Sequence, residues 1–465
     1  MALDLSALRR IIADENRLLT GADIPAEYQS DVLGRVHGSA EALAFPLSTE
    51  EVSALLRYAH EHRVPVTPRG AGTNLVGSTV PLEGGVILDL SRMDRVLELD
   101  EDTMTVTVEP GMLLQDLQAY VEARGLFYPP DPGEKASSIG GNISTNAGGM
   151  RAVKYGVTRD YVRGLEVVLA DGTVMQVGGK QVKDASGLSL KHLLIGSEGT
   201  LAVITKCLLR LVPKPEASLS VLVPYADLKT GIQSVLTILR ANANPTAVER
   251  KVVALGERFC GVSYPRPDAG SYILLTFDGR SEEVTANAAR VRSLALQNGA
   301  LDFIELSDAR QCADIWRVRG ALVKAVEAVS EQEPVDIVVP ISRTADFIRF
   351  INDLEARSGM QMVSFGHAGD GNVHLCVVRG ERDEETWQRE LHENMDRAYA
   401  EAYRLGGVAS GEHGIGLSKR PYFLRQTAKE NLQAMNAIKT ALDPQHILNN
   451  GKSYLTGGNN NAGTF

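Results

Sequence analysis

The chain is poor in the residues that would mark several whole classes of protein. Only four cysteines occur in 465 residues, and Cys207, Cys260, Cys312 and Cys376 are scattered without a CxxC pair. That spacing excludes a disulfide framework and a ferredoxin-like iron–sulfur site, and it predicts reduced, mostly buried thiols of a cytosolic protein. No block of five or six basic residues exists, and 48 Lys and Arg against 58 Asp and Glu give a formal charge of −10. The electrostatic footprint of a nucleic-acid or anionic-membrane binder is therefore missing. From Met1 to Leu19, Asp4, Arg9, Arg10, Asp14, Glu15 and Arg17 interrupt the apolar residues, so no signal-peptide core is expected, and no apolar run of ~18 residues follows to insert into a membrane. A cytoplasmic location is the expectation.

Glycine, by contrast, is abundant and uneven. Of 44 glycines, 20 fall between Thr67 and Lys206, about one residue in seven where roughly 7% is usual. Backbone in that stretch must pass where side chains would obstruct it.

The length is a soft prior for two or three domains. Ser48 with Glu51 makes an S-x-x-E capping box, and Val52, Leu55, Leu56 and Ala59 follow at helical spacing, so a helix is predicted to end near His62. Short strands are then predicted over 64–67, 86–90, 104–108, 167–170 and 174–177, with a helix over 111–124. Two prolines in Val212-Pro-Lys-Pro-Glu216 mark the clearest boundary. Beyond it the pattern predicts strands 219–223, 245–249, 271–277 and 302–306 with helices 226–241 and 282–298, then a helix over 308–327. The same order returns as strands 335–340, 361–366, 373–378 and 407–410 with helices 343–358 and 384–405. Each half is a ferredoxin-like βαββαβ pattern, and two could merge into one antiparallel sheet with helices on one face. One more helix is expected over 432–448, interrupted at Asp443-Pro444, and the tail 457–465 reads as disordered. The fold class is α+β, divided at 1–215, 216–415, a returning C-terminal segment 416–456, and the tail.

Three loops hold most of the glycine-rich stretch. Pro68-Arg-Gly-Ala-Gly-Thr-Asn-Leu-Val-Gly77 follows a strand with spacing G-x-G-x4-G, which misses the dinucleotide fingerprint by two residues. Bare backbone N–H groups there still suit a pyrophosphate, although a tight turn explains the loop alone equally well. The second loop, 129–149, ends in Gly-Gly-Asn-Ile-Ser-Thr-Asn-Ala-Gly-Gly149, and the third is Ile195-Gly-Ser-Glu-Gly-Thr-Leu-Ala-Val-Ile204.

PRGAGT, DPGE…GGNISTNAGG, KYG and GSEGTLAVIT, in this order, resemble the FAD-binding half of the vanillyl-alcohol-oxidase-type flavoproteins. Within these, nearly the whole chain is similar to the 2-hydroxyacid dehydrogenase branch: D-lactate dehydrogenase, the glycolate oxidase FAD subunit and D-2-hydroxyglutarate dehydrogenase. The resemblance implies a PCMH-type FAD-binding domain plus a substrate (cap) domain. It implies that Pro68, Arg69, Gly70, Ala71, Gly72, Thr73, Asn74 and Gly77 serve the pyrophosphate. It assigns Pro132, Gly133, Gly141, Asn142, Thr145, Asn146, Gly148, Gly149, Glu198, Gly199 and Ile204 to the flavin and its ribityl chain, and Asn449 to the cofactor side. No histidine in these loops matches a covalent flavin link, so noncovalent FAD is expected.

Three of nine histidines lie in Gly366-His-Ala-Gly-Asp-Gly-Asn-Val-His374 and Ser410-Gly-Glu-His-Gly-Ile-Gly416. In a βαββαβ sheet, His367 would end strand two, His374 open strand three and Glu412 follow strand four, all at one sheet edge. Two imidazoles and a carboxylate make a three-ligand site for a divalent metal such as Zn, Fe or Mn. The resemblance agrees on His367, His374 and Glu412, puts His413 beside the substrate hydroxyl and Asn372 on the substrate side, and matches Arg319 to the residue that grips the substrate carboxylate. For His60, His62, His192, His392 and His446 the expectation is an ordinary core or surface residue.

The resemblance thus implies oxidation of a small D-2-hydroxy acid, D-lactate foremost, with electrons passed to an electron-transfer flavoprotein; a glycolate oxidase subunit serving an iron–sulfur or quinone-linked acceptor is the alternative. Pro334 stands where the hydroxyglutarate enzymes carry a lysine for a second carboxylate, which argues against a dicarboxylate substrate. In Leu448-Asn-Asn-Gly-Lys452 the family's usual proline is replaced by Asn450, for which the sequence offers no reason.

Overall fold

In a computed structural model, which describes residues 3–239, 244–367 and 369–455, the Ser48 hydroxyl accepts from Glu51 N at 3.3 Å and caps helix α1 (Thr49–His62). The reciprocal half of the expected capping box is absent. The Glu51 carboxylate instead accepts from Leu47 N at 2.8 Å and pairs with Arg17 at 2.7 Å. Arg63, in the left-handed region at φ 53°, ends the helix where the sequence pattern placed its end.

The chain forms two units. The first comprises Met1–Gly148, Gly156–Lys214 and Glu412–Gly463. Strands β1 (Leu18–Thr20), β2 (Ala42–Ala44), β3 (Val66–Arg69) and β4 (Val86–Asp89) form a sheet in the order β1-β2-β4-β3, in which β2 and β3 run parallel to β4. Val52, Leu55, Leu56 and Ala59 of α1 pack on Ala42, Ala44, Val66, Val86 and Leu88. Burying each Val or Leu side chain contributes about 1.5–3 kcal/mol, so the 3.6-residue stripe fixes the helix on the sheet. A second sheet is antiparallel throughout: β5 (Val96–Asp100), β6 (Thr105–Val108), β7 (Val162–Val168), β8 (Val174–Gly178) and β9 (Val203–Arg210), in the order β5-β6-β9-β7-β8. The predicted helix over 111–124 is shorter, α2 (Leu114–Glu122), and α3 (Ile139–Thr145) adds about two turns inside the second glycine-rich loop.

The second unit comprises Gly149–Tyr155 and Pro215–Gly411. Its elements are β10 (Ala217–Tyr225), α4 (Leu228–Leu239), β11 (Asn244–Glu249), α5 (Arg250–Cys260), β12 (Ser271–Gly279), α6 (Ser281–Gln297), β13 (Ile304–Glu305), α7 (Ala309–Gly320), α8 (Leu322–Glu327), β14 (Gln332–Val338), α9 (Thr344–Ser358), β15 (Met362–His367), β16 (Asn372–Val378) and α10 (Glu384–Arg404). The strands make one sheet in the order β13-β10-β12-β11-β15-β16-β14. The order β13-β10-β12-β11 is one ferredoxin-like unit and β15-β16-β14 most of a second. They join through antiparallel pairing of β11 with β15, Ala247 opposite Gly366 and Val248 opposite Phe365.

Four expectations need correction here. The fourth strand of the second half, 407–410, is a single bridge between Val338 and Val408. The helix over 308–327 is two, α7 and α8, and α5 was unforeseen. Helices cover both faces of the sheet, because β10 buries both sides. Val221, Val223 and Tyr225 pack with Val235 and Ile238 of α4 and with α6, whereas Leu222, Tyr272 and Leu274 pack with Val253 of α5, Ile315 and Val318 of α7 and Leu322 of α8. A strand apolar at consecutive positions needs two covers. Finally, only Cys207 and Cys376 are buried, while Cys260 and Cys312 are partly exposed. The tail 457–465 lies outside the described residues. Among the described residues, no helix is long and apolar enough to cross a membrane.

Candidate active site

In the first unit the three glycine-rich loops meet. Gly70 lies so close to the Ser138 hydroxyl that a Cβ would collide with it. That hydroxyl accepts from Ala71 N and from Gly141 N, both at 3.3 Å, tying the first loop to the start of α3. Gly199, at φ +69°, packs against Pro68 so closely that a Cβ would stand only 3.3 Å from its Cγ, and Glu198 N donates to Ser144 O at 2.8 Å. The third loop thereby closes on both others. Arg69 is turned into its own loop: its guanidinium stacks 4.6 Å from the Tyr28 ring centroid, donates to Thr79 Oγ1 and Glu27 O at 3.3 Å, and would clash with any side chain at Gly72. Burial pushes its pKa down. Asn142 and Ile204 are buried, the Thr145 hydroxyl donates to Gly141 O at 3.4 Å, and Asn146, at φ 53°, accepts from Arg159 N at 2.9 Å.

The same unit carries Glu412 and His413. A Cβ on Gly148 would stand 3.2 Å from the Glu412 carboxylate, and Asn74 Nδ2 donates to the His413 carbonyl at 3.2 Å. Asn74 Oδ1 meanwhile accepts from Val76 N and Ser78 N at 3.0 Å. One asparagine thus shapes the first loop and holds the Glu-His segment to it. Asn449 Nδ2 donates to Ser78 O at 3.0 Å and Glu198 O at 2.7 Å. Asn450 gains a reason as well, donating to Glu83 at 3.0 Å.

In the second unit, strand register assembles the other candidates. His374 faces Asp336 across one ladder and Phe365 across the other, and Asn372 faces Val338 and His367. Asp336 is fully buried. Its Oδ1 accepts from Asn372 Nδ2 at 2.5 Å and lies 4.0 Å from His374 Nδ1, while its Oδ2 accepts from Ser410 Oγ at 2.9 Å and Gly411 N at 3.0 Å. Asn372 Oδ1 is buried without a hydrogen-bond partner among the described residues. Burial, with the Asp336 charge adding to it, pushes the neighbouring Asp370 carboxyl up to about 6. The Phe365 ring lies 5.4 Å from the His374 ring, and the Arg319 guanidinium stands 5.3 Å from the Phe365 centroid. Arg319 is 7% exposed on α7. The His367 side chain lies outside the description; its backbone closes β15. Gly149, assigned with Gly148 to the flavin, belongs to this unit, at φ 128°, as do Lys154 and Tyr155 of the KYG motif, which both bind Asp278.

Residues 214–453 match the family model described as FAD linked oxidases, C-terminal domain, and residues 40–178 match the FAD binding domain. The chain belongs to the FAD-linked oxidase family. This FAD-linked oxidoreductase is 40% identical to a D-lactate dehydrogenase of Anaerostipes hadrus over 94% of each chain, and 38% identical to a glycolate oxidase subunit of Bacillus subtilis over 95% of this chain and 93% of that one. It is also 33% identical to a probable D-2-hydroxyglutarate dehydrogenase of Oryza sativa, over 96% of this chain and 80% of the relative. Among solved structures, p-cresol methylhydroxylase with substrate bound matches with a TM-score of 0.81 at 17% identity over 97% of this chain and 96% of that one, and 4-ethylphenol oxidase from Gulosibacter chungangensis with 0.78 at 19% over 97% and 96%. These likenesses establish the PCMH-type fold.

The loops of this oxidase fit the cofactor. At Gly133 a Cβ would meet nothing within 4 Å, and at Gly141 only Ser138 Oγ at 3.0 Å. Gly133 is thus kept bare by no protein atom, which leaves room beside its backbone for a bound group, whereas Gly141, like Gly70, lies tight against Ser138.

The oxidase also has functional neighbours that the sequence reading passed over. Asp336 was legible: a lone carboxylate in the apolar run Val335-Asp-Ile-Val338 needs buried partners. Lys439 on α11 (Lys429–Leu442) was not. It is fully buried, pairing with Asp443 at 2.5 Å and donating to Thr200 O and Leu448 O at 2.7 Å, and nothing in its helical pattern marks that face as internal.

Proposed function

We propose that the protein oxidises a small D-2-hydroxy acid, D-lactate to pyruvate foremost, and passes the electrons to a protein acceptor such as an electron-transfer flavoprotein. Bound FAD would supply the two-electron acceptor for the C2 hydride, and a divalent ion would supply Lewis acidity at the C2 hydroxyl. The observation that carries the reading is the bond from Asn74 to the His413 carbonyl, which secures a general-base candidate to the loops that fit the cofactor.

In this reading Gly70, Gly72 and Gly77 keep backbone N–H groups open to the pyrophosphate, and the Gly141–Gly149 stretch lies along the flavin. His413 takes the hydroxyl proton as C2 loses hydride. Arg319 pairs with the substrate carboxylate, a bidentate task that suits a buried, preorganised guanidinium. Asn372 offers its unsatisfied Oδ1 toward the substrate. His367, His374 and Glu412 would supply the donor set for the ion; two imidazoles and a carboxylate suit zinc, iron or manganese. The chain supports that set through Asp336, which orders Asn372 and the Ser410-Gly411 pair just ahead of Glu412.

The 38% identity to a glycolate oxidase subunit favours one second reading, glycolate as substrate and an iron–sulfur acceptor. The test is the absorption spectrum of the purified protein before and after anaerobic addition of D-lactate or glycolate. Flavin bands that bleach with D-lactate support the first reading, and bleaching with glycolate alone supports the second. A protein without flavin bands, or with bands that neither acid bleaches, contradicts both.

A further inference from the structure

We propose that Glu198 is a positioning residue for His413 rather than a residue that lines the flavin. The proposal rests on the reading of His413 as the base.

Glu198 is 6% exposed and adopts φ 52°, a left-handed conformation that a non-glycine residue keeps only where the surroundings impose it. Every polar group it carries is engaged. Its N–H donates to Ser144 O at 2.8 Å, and its carbonyl accepts from Asn449 at 2.7 Å. Oε1 accepts from Ile415 N and Ser453 Oγ, each at 3.0 Å. Oε2 accepts from Ser78 Oγ at 2.6 Å and Gly416 N at 2.8 Å. An ionised carboxylate has about four acceptor sites, and here all are filled by protein, so none is left for a cofactor.

The two backbone donors matter most. Ile415 N and Gly416 N are successive peptide groups gripped by one carboxylate, a fork that fixes the turn following His413. Gly414, at φ +84°, lets that turn lie on the carboxylate: a Cβ there would stand 3.0 Å from Glu198 Cδ. On its other side, residue 413 is held by Asn74 through its own carbonyl. Asn74 is bonded to Ser78 N, and Ser78 returns to Glu198. Glu198, Ser78, Asn74, His413 and Ile415 therefore form a closed ring in which the base is one station. A ring of charge-assisted and amide bonds in a buried setting holds position tightly, and a misplacement of about 1 Å at a reacting group can cost 100-fold in rate.

The test uses the full-length flavoprotein and the substitutions Glu198→Gln, His413→Ala and their combination. A Gln keeps the shape but presents an amide NH₂ where one backbone N–H must find an acceptor. In anaerobic stopped-flow with D-lactate, Glu198→Gln is expected to slow flavin reduction, per flavin bound, about 10- to 100-fold. A purely structural role would lower flavin content and melting temperature but leave the rate per bound flavin alone. Because Glu198 acts through His413, the double variant should be no slower than His413→Ala. An unchanged rate in Glu198→Gln, or losses that multiply in the double variant, overturns the proposal. Wild-type rates in His413→Ala would instead sink the assignment of the base, and this proposal with it. If Glu198→Gln does not fold, Ser78→Ala and Ser453→Ala each remove one hydroxyl donor. Each should slow reduction several-fold in the wild-type background and not at all in His413→Ala, and wild-type rates in both overturn the proposal.

Discussion

Asp336, Asn372 and His374 of the second unit meet because of strand register, whereas Asn74, Glu198 and His413 of the first unit meet because three loops and a C-terminal segment are pinned by buried polar side chains. A ladder specifies its neighbours cheaply, since every residue added to β14 or β16 pairs with the next and a one-residue slip would turn the whole strand over. Loops have no such repeat. Their positions must be imposed one at a time, and the first unit does so with charged side chains taken out of water: Glu198, Lys439 with Asp443, and Lys452, which is 1% exposed and whose amine donates to Ser78 O at 3.0 Å and Asn449 Oδ1 at 2.5 Å. The Glu412-His413 segment of the first unit should therefore be sensitive to isosteric polar changes, and the Asn372-His374 segment of the second to changes at a single carboxylate.

The largest expected effect is at His413, the proposed base. His413→Ala should keep the yellow flavin bound and slow its reduction by D-lactate about 10²- to 10⁴-fold; anaerobic stopped-flow reads this directly. Next comes the contrast between frameworks. Asp336→Asn should lower kcat/KM about 10- to 100-fold by loosening Asn372 and Gly411 while the flavin content stays full, whereas Gly70→Ala, which drives a methyl into Ser138, should lose flavin itself. Flavin-to-protein ratios of the two variants separate loop from ladder. A smaller change concerns stability alone. Lys439→Met leaves Asp443 buried without its cation and should cost about 3–5 kcal/mol in denaturant unfolding.

The subtlest effect is a pH slope. Burial pushes the Lys452 amine down to about 7 in spite of the nearby Glu198 and Glu83 charges, while in the unfolded chain it titrates near its ordinary value of 10.5. Between those values the unfolded state binds more protons, so this lysine makes stability rise with pH from about 7 to 10.5. Lys452→Met should flatten that rise in melting curves taken across the window.

How much of this was readable in the sequence differs between the units in the same way. The helix that Ser48 caps, the strands at 86–90 and 174–177 and the first βαββαβ unit after Pro215 follow from cap chemistry and from periodicities of 3.6 and 2, and the structure carries them. Helices α5, α7 and α8 on the second sheet face were misjudged because Leu222 and Val223 are both apolar, and a strand buried on both sides announces two covers without saying which helices supply them. The glycine loops were visible as composition and motif. What holds them was not, because Glu198 is assigned by motif to the flavin, Lys439 and Lys452 are charged residues that a sequence places at the surface, and only their convergence on distant backbone groups and side chains shows them as struts.

In the proposed reaction bound FAD would take hydride from C2 of a 2-hydroxy acid while His413, held by Asn74 through its carbonyl, takes the hydroxyl proton. The most direct measurement is anaerobic single-turnover reduction of the bound flavin by D-lactate and by D-lactate deuterated at C2. Rapid bleaching with a primary isotope effect on its rate is the expected result. Flavin that D-lactate leaves oxidised would contradict the account.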